Sequence, residues 1–141
     1  MKRMGTTVMV AMAVALGLAA TGCVPRRPKA MRYGSVIGIK PENIAEYKKL
    51  HAAVWPEVLA KLKEVNVRNY SIYLAEVKKG EFYLFSYFEY TGSDFEADMK
   101  RMADDPNTQR WWKHTDPLQV GVETRKEGEW WHGIEEVFHM E

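Results

Sequence analysis

Two alternating runs, NYSIYLAEV (69–77) and EFYLFSYFEY (81–90), lie a few residues apart, and that spacing limits the folds open to the chain. Tyr70, Ile72 and Leu74 fall on one face of the first run, and Ser71, Tyr73 and Ala75 fall on the other. This is the period of a strand with one buried side. Lys78-Lys79-Gly80-Glu81 supplies a turn, with Gly80 where a positive φ is needed, so the two runs form a β-hairpin. A hairpin alone is marginal in water, so its apolar face must lie against other elements.

The flanking segments supply them. YGSVIGI (33–39) reads as a further strand, ending before Lys40-Pro41-Glu42. Pro41 suits the first turn of a helix and Glu42 its positive end. The helical period then runs to about Val65, where Asn66 stops it, with Leu50, Val54, Val58 and Leu62 as a core-facing ridge. Pro56 leaves the carbonyl of Ala52 without its usual partner, which predicts a kink or restart near Trp55. After the hairpin, Thr91-Gly92-Ser93-Asp94 breaks the strand and caps a second helix over 94–104, with Phe95, Met99 and Met102 facing in. Asp105-Pro106-Asn107 opens a short helix through QRWWKH, and IEEVFHM (134–140) reads as a final strand. The order β-α-β-β-α-β predicts an α+β, ferredoxin-like fold, one antiparallel sheet with helices on one face. Two such sheets can pair, and the many rings outside a simple core pattern suit that use.

The first residues do not share this pattern. MKRMGTTVMVAMAVALGLAATGC has two early positive charges, an apolar run of small residues and then small residues before Cys23, the layout of a secretory signal. Ala20-Thr21-Gly22-Cys23 resembles a bacterial lipobox, in which the cysteine is lipidated and becomes the new first residue. A plain export signal with an incidental cysteine is the other reading. With one cysteine, no disulfide forms within the chain. The expected organisation is a signal over 1–22, a tether over 23–31 and a folded domain over 32–141. The protein would then be an exported, membrane-anchored lipoprotein facing the periplasm or cell exterior. Loss of residues 1–22 removes Lys2 and Arg3 and no acidic residue, leaving a charge balance of −1. The basic residues are scattered, which argues against nucleic acid, and membrane contact is assigned to the lipid alone.

The residue that most invites chemistry is His51. Tyr47, His51 and Trp55 are spaced four apart, so an unbroken helix would align them as one ridge at the edge of the apolar face. One reading is a core-edge histidine that holds a backbone carbonyl. The other is a proton carrier, because an imidazole with a pKa near 6.5 gives and takes protons at neutral pH. Aromatic faces around a few polar groups suit a carbohydrate or another flat ligand. His51, His114, His132 and His139 are far apart in sequence, with no metal-ligand spacing, and Cys23 lies in the tether. No Walker loop, G-x-S-x-G or G-x-G-x-x-G is present. Haem stays open, with His51 as its ligand. Trp130 and Trp131 read as core or dimer-interface anchors.

YKKLHAAVWPEVLAKLKEVNVRNYSIYL, QRWW and GEWWHGIEEVFHME together resemble the L-rhamnose mutarotase family, over about residues 31–141. The pattern Y-x₃-H-x₃-W-P-E, N-Y-x-I-[YF]-L, QRWW and a closing E-V-F is present in order. The resemblance implies a dimeric α+β barrel that interconverts sugar anomers without cofactor or metal. It implies His51 as proton donor and Tyr47, Tyr70, Trp111 and Trp112 as sugar contacts. The base that pairs with His51 stays open between a tyrosine hydroxyl, a carboxylate such as Glu136, and water relayed through His139. If Glu136 shares an inner face with Phe138, burial would raise its pKa. One departure stands out: the family is ordinarily cytoplasmic, and this chain carries an export signal.

Overall fold

The computed structural model describes residues 29–140, so the expected export signal, Cys23 and most of the expected tether lie outside the described residues. The described elements are β1 (Met31–Ile39), α1 (Ile44–Ala52), α2 (Pro56–Glu64), β2 (Val67–Lys78), β3 (Glu81–Tyr90), α3 (Phe95–Ala103), α4 (Pro106–Thr115), β4 (Gln119–Val120) and β5 (His132–Ile134). All strand pairs are antiparallel, in the order β2-β3-β1-β4, and β5 pairs with β1 beside β4. This is the predicted ferredoxin-like arrangement.

Alternation sets the faces of the sheet. Ile37 lies opposite Leu84, and Ile39 opposite Phe82. These four side chains meet Tyr47 of α1 in the core, joined by Ile44, Ile72, Leu74, Leu118 and Trp131. The predicted interruption at Pro56 is a full break. Ala53 leaves helical geometry at φ −138°, Trp55 is extended, and Pro56 takes the first position of α2, where its missing N–H costs nothing. Gly80 turns the β2–β3 hairpin at φ +82°, as its place in the turn requires.

Two expectations need correction. The Leu50–Val54–Val58–Leu62 ridge is not a plain core stripe: Val54, Val58 and Leu62 wall a cavity, and only Val58 of the four is fully buried. The final strand is short and early, His132–Ile134, and residues 135–140 run without regular pairing. Gly34, Ser35 and Val36 of β1 take up β5. The rest of IEEVFHM takes no strand partner among the described residues.

Candidate active site

His51 sits in the last turn of α1, half-buried, with its ring stacked on Tyr47 at 4.1 Å between centroids. Its Nδ1 lies 3.0 Å from the backbone oxygen of Tyr47. A carbonyl oxygen only accepts, so Nδ1 carries the hydrogen and Nε2 of the neutral ring keeps a free lone pair. Burial lowers the His51 pKa below its usual 6.5, and the bond to the Tyr47 carbonyl opposes this only in part. The neutral form is therefore the resting one near pH 7.

The helix break removes Trp55 from the ridge expected for Tyr47, His51 and Trp55. Trp111 of α4 restores the connection from another direction: its ring meets His51 at 5.3 Å and Trp55 at 5.4 Å, both edge-to-face. Asp105 holds α4 in place by accepting from the Thr108 backbone N–H at 2.8 Å, a cap that orients the tryptophan pair.

Tyr70 reaches the same place by a different device. Arg68 pairs with Glu89 and Ser71 with Tyr87, so Asn69 and Tyr70 together stand opposite Phe88 alone. This is a β-bulge, and Asn69 occupies the left-handed region at φ 49°. The extra residue changes the parity of β2, so that Val67 before it and Tyr70, Ile72 and Leu74 after it all face the helices. Tyr70 is 44% exposed overall, yet burial of its hydroxyl pushes the pKa up to about 12.

His51, Tyr70, Trp111 and Trp112 line one cavity of about 400 Å³, with Thr108, Ile72, Met102 and the apolar side chains of α2. Tyr47 lines an adjoining concavity that shares His51 and Ile72. Burial and the neighbouring Tyr70 raise the Tyr47 pKa, so its hydroxyl keeps its proton across the neutral range. The structure thus brings together all five residues singled out in the folded domain.

It does not bring Glu136 or His139 to them. Glu136 accepts two hydrogen bonds from Arg32, at 2.6 and 2.8 Å. Arg32 alternates with Tyr33 on β1 and leaves the sheet on the face opposite the helices. The bond from Arg32 holds the Glu136 carboxyl below the usual range, the reverse of the expected rise. His139 acts on Glu89 and Glu136, on that same side. Two polar groups beside Tyr47 were missed in the sequence. Gln119 Nε2 lies 3.5 Å from the Tyr47 hydroxyl. Asp116 lies close enough to raise the Tyr47 pKa further, and its own carboxyl is pushed up by burial. Both follow a tryptophan-rich helix in a polar run, HTDPLQ, whose pattern carries no period to mark them.

Residues 32–140 match the family model for L-rhamnose mutarotase. The chain belongs to the L-rhamnose mutarotase family. The L-rhamnose mutarotase of Lactiplantibacillus plantarum is 32% identical over 111 residues, covering 79% of this chain and 99% of that one. Those of Oceanobacillus iheyensis and Bacillus subtilis are 36% and 37% identical over 87 residues, each covering 62% of this chain and 78% of the relative. Among solved structures, an L-rhamnose mutarotase from Formosa agariphila is similar in fold, with a TM-score of 0.58 at 22% identity over 79% of this chain and 99% of that one. Membership of the mutarotase family agrees with an aromatic cavity that has a single half-buried imidazole at its wall.

Proposed function

We propose that this protein is a mutarotase that interconverts the α and β anomers of L-rhamnose or a related 6-deoxy sugar. The observation that carries the reading is the orientation of His51: Nδ1 is tied to the Tyr47 carbonyl, within an aromatic cavity large enough for a pyranose. Opening the ring moves one proton from the anomeric hydroxyl to the ring oxygen as the bond between that oxygen and the anomeric carbon breaks. Nε2 of neutral His51 takes the proton, and the imidazolium so formed returns it to the ring oxygen. Rotation about the bond next to the aldehyde and reversal of these steps give the other anomer. General acid–base help of this kind is worth about 10²–10⁴-fold in rate. Tyr47 and Tyr70 hydroxyls, both protonated at neutral pH, hold the sugar oxygens. The faces of Trp111 and Trp112 cover its C–H patches and methyl group.

The finer assignments are proposals of the same kind. The protein works as a homodimer, joined through the sheet face away from the helices. Val36, Tyr73, Val77, Phe85 and Val120 give that face an apolar character, around an open concavity of about 780 Å³ to which Tyr73 is adjacent on β2. The unpaired tail, with Val137 90% and Phe138 80% exposed, would be covered by the second copy. Cys23 carries the lipid, and the enzyme equilibrates anomers outside the cytoplasm.

The deciding experiment is NMR saturation transfer between the anomeric protons of L-rhamnose, L-fucose and D-glucose, with the purified protein near neutral pH. Transfer well above buffer for one 6-deoxy sugar supports the reading and ranks the sugars. Saturable binding with no transfer would reduce the protein to a sugar-binding lipoprotein.

A further inference from the structure

Gln119 opens β4 opposite Ile39, and it is only 8% exposed. Its Oε1 accepts from the indole N–H of Trp130 at 2.8 Å, and its Nε2 faces the Tyr47 hydroxyl at 3.5 Å. The two ends of a glutamine amide are interchangeable in shape, so the neighbours decide which is which. An indole N–H can only donate, so the end beside Trp130 must be the oxygen. The end beside Tyr47 is then the NH₂, which can only donate. Tyr47 must accept on that side, and its own O–H is turned elsewhere. Among the described residues nothing accepts that proton, and Tyr47 stacks on His51 at the cavity wall. Trp130 is itself held, with the Arg125 guanidinium 5.9 Å above its ring.

We propose that Gln119, fixed by Trp130, is a positioning residue that presents Tyr47 to the sugar as a hydrogen-bond donor. This rests on the mutarotase reading of the cavity. It gives the loop carrying Trp130 a role in the reaction, where the sequence suggested only a packing anchor. A donor aimed at the ring oxygen or a neighbouring hydroxyl stabilises the charge that gathers there as the ring opens.

The test compares Gln119→Glu and Gln119→Leu with the wild-type protein by anomer exchange from pH 8 down to about pH 4, a range that reaches the ordinary glutamate pKa of about 4.3. At neutral pH a carboxylate at position 119 accepts from both Trp130 and Tyr47, which turns the Tyr47 proton away from the sugar. Q119E is expected to lose about tenfold in kcat at neutral pH, and Q119L less. On acidification the neutral carboxyl can again accept from Trp130 and donate to Tyr47, so the ratio of Q119E to wild type at each pH must rise. A ratio that is flat with pH, or Q119E equal to wild type at neutral pH, overturns the proposal, since a purely structural loss would not track that titration. A wild type inert toward every sugar would count against the reading of the cavity instead. The relay would then be judged by the Trp130 indole N–H resonance, identified by its loss in Trp130→Phe. A shift of that resonance in Q119L supports the relay, and an unmoved one overturns it.

Discussion

The Nδ1 atom of His51 lies 3.0 Å from the backbone oxygen of Tyr47, one turn earlier in α1. That contact satisfies both roles that a histidine at the edge of an apolar face can have. It anchors one nitrogen in the helix, as a structural histidine would. By fixing the tautomer, it also aims the basic lone pair of the other nitrogen outward. The helix stops one residue later, at Ala52, and the break between α1 and α2 leaves room for Trp111 to close against the ring.

His51→Ala should therefore abolish most anomer exchange, by a factor of about 10² or more, the size of a general acid–base contribution. The ring is only half-buried, and the core cluster of Ile37, Ile39, Tyr47 and Leu84 does not include it. Circular dichroism should find the fold intact. Exchange at the wild-type rate in a folded His51→Ala protein would remove His51 from the mechanism.

The pH response has a defined sign. Burial lowers the His51 pKa below 6.5, so the neutral ring survives to lower pH in the folded protein than in the unfolded chain. The acid limb of the rate profile should have its midpoint below 6.5. In the same range the unfolded state binds the proton more readily. The stability tied to a neutral His51 is thus present above 6.5 and is lost as pH falls from 6.5 through the folded value. Thermal melts of wild type and His51→Gln at pH 7.5 and pH 5.5, either side of the histidine range, should show the gap between them moving in favour of the variant on acidification.

How far the sequence led depends on whether each feature repeats. The hairpin, the order of elements and the helix restart at Pro56 were legible, because alternation, helical period and proline geometry are local rules. The family resemblance named Tyr47, His51, Tyr70, Trp111 and Trp112 together; the last four line one cavity, and Tyr47 lines the concavity that adjoins it at His51. What could not be read depended on pairing across the fold. Glu136 is claimed by Arg32, 104 residues away in the chain, and no local pattern announces that ion pair. The bulge at Asn69 was hidden because a smooth alternation from residue 69 onward looks the same with or without it. Gln119 shows only as one polar residue among others until Trp130 and Tyr47 are seen on either side.

The bulge makes its own prediction. Asn69 sits at φ 49°, where asparagine is tolerated and a β-branched residue is not. Asn69→Val should cost about 1–2 kcal/mol and reduce exchange as well, because relief of the strain tends to restore simple alternation and misdirect Tyr70. Asn69→Gly keeps the backbone and loses only the bond from Nδ2 to Glu89 at 3.0 Å, so it should retain most activity. Melting temperature and saturation transfer measured together separate the two. Equal activity in both variants would mean that Tyr70 does not depend on the bulge.

A last prediction concerns the acid side of stability. The Asp98 carboxylate of α3 is buried against the end of β3, where it accepts from Asn66 Nδ2 at 2.7 Å, from the Tyr90 hydroxyl at 2.7 Å and from Arg101. These bonds, that of Asn66 foremost, hold its pKa at about 2, against an ordinary 3.8. A depressed carboxylate stabilises the fold above its unfolded pKa, and that stability is lost as pH falls through the folded value. The contribution should be complete above pH 3.8 and fade toward pH 2. Asp98→Asn presents an amide whose NH₂ end cannot accept from Asn66, Tyr90 and Arg101 together. It should lower the denaturant midpoint at pH 7 and flatten the acid-dependent part of the curve. Urea titrations from pH 7 down to pH 2 would test both effects, and a variant with the same acid dependence as wild type would show that other carboxylates govern it.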